Sequence, residues 1–173
     1  MSNQTYDPNR AAGVLARLTR RAAFAFASVI LLSVLAQAQV PPTAGEPQSG
    51  RVFCDQSVTY RIADPATVPE RYRGFLGAWS DAAWNANSCA ALIVENIDPD
   101  GTASIVYAHG PLSSNTRVSG GALHGTGIIR DGVLRFQNSD GTQFAFRPGI
   151  ADLIGRMTTP NGQSYEAAFK KTF

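Results

Sequence analysis

The chain has 173 residues and a mass of 18.4 kDa, which sets its size at one domain or one domain plus a tail. Hydrophobic residues make up 44% and charged residues only 16%, against about 25% charged in an ordinary soluble domain, and this excludes a chain that is mostly disordered. The formal charge of +2 is too small to mark a nucleic-acid partner.

The first segment reads as an address. Arg10, Arg17, Arg20 and Arg21 make the start basic, and an apolar run follows from Ala22 to Ala36. Ala36-Gln37-Ala38 then supplies a small-x-small triplet. A basic region, an apolar region and such a triplet describe a secretory signal peptide over 1–38, cleaved after Ala38. The rival is an uncleaved membrane anchor, which needs about 20 apolar residues; the run here has fifteen. After cleavage no stable membrane insertion is expected. Thr19-Arg20-Arg21 ahead of Phe24 is similar to a twin-arginine signal, so the general and twin-arginine export routes both stay open. No Cys lies at the cleavage site, so a lipoprotein anchor is not supported. The expected location is periplasmic or extracellular. Without residues 1–38 the chain has eleven basic and twelve acidic residues, a net of −1. The precursor's basicity therefore says nothing about nucleic acid or anionic lipid.

Residues 39–50 contain VPPTAGEPQSG, with no apolar period, and read as a flexible linker. The folded domain is expected over 51–173. Cys54 and Cys89 are the two cysteines. In an oxidising compartment their expected state is a disulfide, which stabilises by about 3–4 kcal/mol in the chain-entropy model. Between Pro65 and Asn87, Tyr72, Phe75, Leu76, Trp79 and Ala83 follow a helical spacing, but Gly74 and Gly77 oppose one continuous helix. The segment divides into a short helix from Pro69 to about Gly74 and a strand from Leu76 to about Asn85.

The remainder is a string of hairpins. Asp100-Gly101, Asp131-Gly132, Asp140-Gly141 and Asn161-Gly162 stand between apolar segments, where tight turns need residues that tolerate positive φ. Leu134 and Phe136 face Phe144 and Phe146 across the third pair, with Arg135, Gln137, Gln143 and Arg147 on the other side. The last hairpin puts Tyr165, Ala167 and Phe169 inward and Glu166 and Lys170 outward. This is an all-β antiparallel meander. With no helix pattern after Gly110 to cover the sheet, it must close into a barrel or fold into a sandwich.

Gly77-Ala78-Trp79 at the start of the meander resembles the G-x-W of lipocalins and related calycin barrels. The stretch from Tyr72 through Cys89-Ala90-Ala91-Leu92-Ile93-Val94 and Val106-Tyr107-Ala108-His109-Gly110 to Asp131-Gly132-Val133-Leu134-Arg135-Phe136 looks like a small calycin-like domain of exported bacterial proteins. The resemblance implies a closed barrel and a binding role. The lipocalin motifs beyond G-x-W are absent. Calycin-like folds also include small secreted protease inhibitors with one disulfide, although Cys54 upstream of Trp79 departs from their arrangement.

Four residues are candidates for ligand contact. Trp79 is expected at the barrel floor. Trp84, at an odd separation from Trp79, falls on the opposite face unless a bulge turns it in. Tyr107 shares a strand face with His109. His109 and His124 lack partners at ligand spacing, so no metal site and no cofactor are expected. No G-x-S-x-G, H-E-x-x-H or Cys/His signature is present, and no enzyme is expected. Gly120-Gly121-Ala122-Leu123-His124-Gly125-Thr126-Gly127 fits neither phosphate-loop pattern and reads as turn and bulge glycines. Glu95, Asp98 and Asp100 lack calcium-loop spacing and read as a solvated turn. The expected function is that of an exported, non-enzymatic module binding a small apolar molecule, glycan or peptide. The alternatives are an inhibitor or accessory module that binds another protein, and a hydrolase with an unrecognised site.

Overall fold

A computed structural model describes Gly45 and residues 48–112 and 119–172. The signal peptide expected at 1–38 and most of the expected linker lie outside the described residues. The described residues form ten strands: β1 (Gln48–Phe53), β2 (Gln56–Tyr60), β3 (Gly77–Asn85), β4 (Ser88–Ile97), β5 (Thr102–Pro111), β6 (Gly121–Arg130), β7 (Val133–Gln137), β8 (Gln143–Pro148), β9 (Asp152–Thr158) and β10 (Ser164–Lys171). β1 begins three residues ahead of the expected start of the fold. Strands β3 to β10 form a closed antiparallel barrel, each paired with the next, and β10 returns to β3. The junction is short: Lys170 and Lys171 pair with Ser80 and Trp79, and the Thr172 N–H donates to the Ala78 carbonyl at 2.8 Å. Among the described residues no helix is long and apolar enough to cross a membrane.

The four Asx-Gly pairs all make hairpins, by two different geometries. Asp131 and Gly132 both have positive φ and form a two-residue turn. At the other three pairs only the glycine does. There a turn closed by a glycine N–H (Gly101 to Asp98, Gly141 to Asn138, Gly162 to Thr159) is followed by a left-handed glycine. In all three turns the Asx side chain accepts the N–H two residues on: Thr102 to Asp100, Thr142 to Asp140 and, at a longer 3.4 Å, Gln163 to Asn161.

Inside the barrel the inward residues of every strand meet. Trp84 lies against Phe144, Phe146 and Phe169, with ring centroids 5.2–6.2 Å apart. Tyr107 lies 4.7 Å from Phe144, and Phe136 stacks 4.8 Å from Phe144. Gly155 on β9 makes room for this cluster. A Cβ there would come within 2.8 Å of the rings of Phe146, Phe169 and Trp84.

Bulges set which side chains turn inward. β3 pairs Trp79 with Leu92 and then Ala82 with Ala90, so it carries one extra residue, and Asp81 has φ +57°. The extra residue reverses the alternation: Trp79, Ala82 and Trp84 all face the interior core. Of the two placements open for Trp84, the bulge gives the inward one. A second shift between Val94 and Asn96 turns Ile97 inward as well.

The segment before β3 closes one end. The short helix expected from Pro69 to Gly74 takes the form of single 3₁₀ turns at Pro65–Thr67 and Glu70–Tyr72. The side chain of Asp64 accepts the Ala66 N–H at 2.8 Å and caps the first. Val68, Phe75 and Leu76 then enter the core. Tyr72 covers the β4–β5 turn, where a Cβ on Gly101 would meet the Ile129 carbonyl at 2.6 Å and the Tyr72 oxygen at 3.1 Å.

β1 and β2 form a separate hairpin outside the barrel. Phe53, Val58 and Tyr60 form a second core with the outward Ala78, Ala91, Ile93, Val106 and Ala108 of β3, β4 and β5. Small alanines on that wall let the hairpin lie close. Cys54 in its turn bonds to Cys89 at the start of β4, Cα to Cα 5.6 Å. The fit is tight: a Cβ on Gly110 would stand 2.2 Å from the Cys54 carbonyl oxygen. Glu95, at the β4 shift, accepts the Arg61 N–H on its carboxylate and the Ala63 N–H on its carbonyl, both at 2.8 Å.

Candidate functional site

The four residues singled out from sequence divide between two places. Trp79 sits toward the closed end, 4% exposed. Its indole N–H donates to the Phe75 carbonyl at 2.8 Å, and the Lys171 ammonium lies 5.0 Å from its ring centroid. These contacts tie the lead-in turns to the junction of β3 with β10. Trp84, Tyr107 and His109 come together nearer the other end. The Trp84 indole N–H donates to the Tyr107 hydroxyl at 2.7 Å, and the His109 ring stacks on Tyr107 at 5.9 Å. Burial pushes the Tyr107 phenol well above its usual range, and the hydrogen bond from Trp84 pulls weakly the other way. A phenol so placed stays neutral and serves as a hydrogen-bonding group.

The two histidines do not converge. His109 continues the inward alternation of Tyr107, and a Cβ on Gly121 would meet its ring at 3.3 Å. His124 is exposed on β6, opposite the outward Val106. They occupy opposite faces of one sheet. Among the described residues no three His, Cys, Asp or Glu side chains are placed to hold a metal ion. Glu95, Asp98 and Asp100 hold the local backbone and the Asn96 amide in place. Gly110, Gly120 and Gly121 mark close approaches: a Cβ on Gly120 would meet the Gln56 amide at 2.3 Å.

A further cluster lies on the outer wall of β7, β8 and β9. Arg135 pairs across to Ala145, and Ala145 to Arg156. Arg147 stands two residues along β8 on the same face. All three arginines are exposed. Arg156 donates to Glu166 Oε1 from Nε at 3.2 Å and from Nη2 at 2.7 Å. The Arg156 guanidinium, by hydrogen bond and by charge, holds the Glu166 carboxyl below its usual range, and Arg147 adds to the effect. Two shallow grooves, of ≈ 370 and ≈ 240 Å³, meet over Ala145 and share Arg156. The alternation of β7 and β8 already assigns Arg135, Gln137, Gln143 and Arg147 to the outward face. What sequence reading missed was the register that brings Arg156 and Glu166 beside them.

No family model, curated protein or solved structure matches this chain.

Proposed function

We propose that the protein is an exported, non-enzymatic binding module built on a calycin-like barrel, and that it holds a glycan or peptide on its surface. The observation behind this reading is the packed interior. A carrier of an apolar molecule needs a cavity of about 300–1,000 Å³ lined for its cargo. Here the rings of Trp84, Tyr107, Phe136, Phe144, Phe146 and Phe169 touch one another across the middle of the barrel. That turns the choice among small apolar ligand, glycan and peptide toward the latter two. The calycin-like assignment draws on the eight-strand meander, Gly77-Ala78-Trp79 opening its first strand, and the turns that close that end. Export accords with the Cys54–Cys89 bond. His109 and His124, on opposite faces, offer the hydrolase alternative no shared centre.

Native mass spectrometry of the protein from an exporting host, before and after organic extraction, tests this. The two masses are expected to agree, and the immobilised protein is expected to retain an identifiable glycan or peptide. A stoichiometric apolar adduct removed by extraction would place the ligand in the lumen and overturn the surface reading. Turnover of a substrate, lost in a folded His109→Ala or His124→Ala variant, would overturn the non-enzymatic one.

A further inference from the structure

The surface reading leaves open which surface and which chemistry, and the outer wall of β7–β9 supplies both. Charge is unevenly spread along the chain. Residues 48–112 carry four Lys or Arg against seven Asp or Glu, whereas residues 119–172 carry six against four. Three of those six are Arg135, Arg147 and Arg156. Adjacent strands lie about 4.8 Å apart, so the backbones of Arg135 and Arg156 flank Ala145 at a separation of roughly 10 Å. Arg147 stands about 7 Å further along β8. The Ala145 methyl leaves the floor between them low, and the grooves meet there. Glu166 pairs with Arg156 and also lies in the field of Arg147, and one carboxylate among three arginines leaves the cluster a net charge of +2. The next row upward is neutral but hydrogen-bonding: Gln137 stands opposite Gln143, and Gln143 opposite Thr158.

We propose that this groove binds an acidic polysaccharide. Its carboxylates lie on the guanidinium groups of Arg135 and Arg147, whose forked donors match a carboxylate's two oxygens. Its hydroxyls meet the amides of Gln137 and Gln143 and the hydroxyl of Thr158. The row of neutral donors and acceptors is what favours a sugar chain. A peptide docking by strand addition needs an unpaired backbone edge, and β8 and β9 are paired on both sides. Membrane docking needs a broad apolar face beside the basic groups. The apolar neighbours here are single side chains, Ile128 across from Arg135 and Ile154 across from Arg147, and the row above them is amide and hydroxyl.

The inference rests on the surface-binding reading, and its test is kept separate. Binding of the full chain to polygalacturonate is measured by calorimetry at low salt, with uncharged dextran, polyglutamate and phosphatidylglycerol vesicles as comparisons. Polygalacturonate is expected to bind, dextran not, and high salt to abolish the signal. Replacing Arg135 and Arg147 together by Gln, with the Arg156–Glu166 pair intact, is expected to weaken binding by about tenfold or more. Ala145→Leu, which fills the floor, should weaken it too without changing charge. Unaltered affinity in the Arg135/Arg147 variant, or no polygalacturonate binding at all, overturns the inference. Tighter binding of polyglutamate or of the vesicles overturns it in favour of a peptide or a membrane. If a different glycan or peptide is retained while polygalacturonate fails, only this inference falls.

Discussion

The barrel has two walls made of the same kind of strand and finished in opposite ways. Over β3–β5 the outward residues are Ala78, Ala91, Ile93, Val106 and Ala108, and the β1–β2 hairpin lies on them. Over β7–β9 they include Arg135, Gln137, Gln143, Arg147 and Arg156, which stand exposed, around the half-buried Val133, Ala145 and Ile154. The difference is written in the strands. Cys89-Ala90-Ala91-Leu92-Ile93-Val94 is apolar at every position, the pattern of a strand covered on both faces. Phe144-Ala145-Phe146-Arg147 alternates, the pattern of a strand with one face in water. An uninterrupted apolar strand in a single-layered barrel therefore announces a second layer somewhere in the chain.

The sharpest way to break the contrast is a charge on the covered wall. Val106→Asp puts an unpaired carboxylate between hairpin and barrel, and a loss of about 4 kcal/mol or more is expected in denaturant unfolding. Replacing Cys54 and Cys89 together by Ser should cost about 3–4 kcal/mol. If the cover is a separate layer, hydrogen exchange should quicken in β1 and β2 more than in β7–β9. Trp84→Phe removes the indole donor to Tyr107 and leaves a small void, for about 1–3 kcal/mol. The same cost in both walls would show that the interior, not the cover, couples them.

Alkali gives a finer division. Burial raises Tyr60 beneath the hairpin as well as Tyr107 in the interior. Both native phenols keep their protons at pH values where an unfolded tyrosine, with a pKa of about 10, has lost its own. Their stabilising contribution is complete below about pH 10 and is lost as pH rises through the native values. Ultraviolet titration should show both ionising only as the structure opens, Tyr60 first if the hairpin lifts before the barrel. The smallest effect belongs to the outer face of β10, beside the open wall: Ala168→Asp at that exposed position should change stability by no more than about 0.5 kcal/mol.

The meander and the inward set Leu134, Phe136, Phe144, Phe146 and Phe169 are legible because period-two alternation and Asx-Gly turns act over a few residues; the disulfide is legible because the sequence has two cysteines and reads as exported. The β1–β2 hairpin was not read, though Val58 and Tyr60 alternate with Ser57 and Thr59. Its turn is Cys54-Asp55, both with positive φ, where the glycine that usually signals such a turn is missing. Its burial also depends on Ala78, Ala91 and Ala108, which belong to three later strands. Trp84 could not be placed by parity alone, since one extra residue at the β3 bulge decides its face. Of the site, the arginines of β7 and β8 were legible as outward; their meeting with Arg156 depends on register, which no single strand encodes.

The junction of β3 with β10 also governs when this molecule can finish folding. Ser80 and Thr172, whose hydroxyls meet there at 2.7 Å, are 92 positions apart. A chain still emerging, with β10 not yet delivered, holds a curved sheet whose first strand has a bare edge. Such an edge invites pairing with neighbouring molecules. Ring closure must wait for Lys170 and Lys171, so the interval between the arrival of β4 and that of β10 is when a chaperone has most to protect.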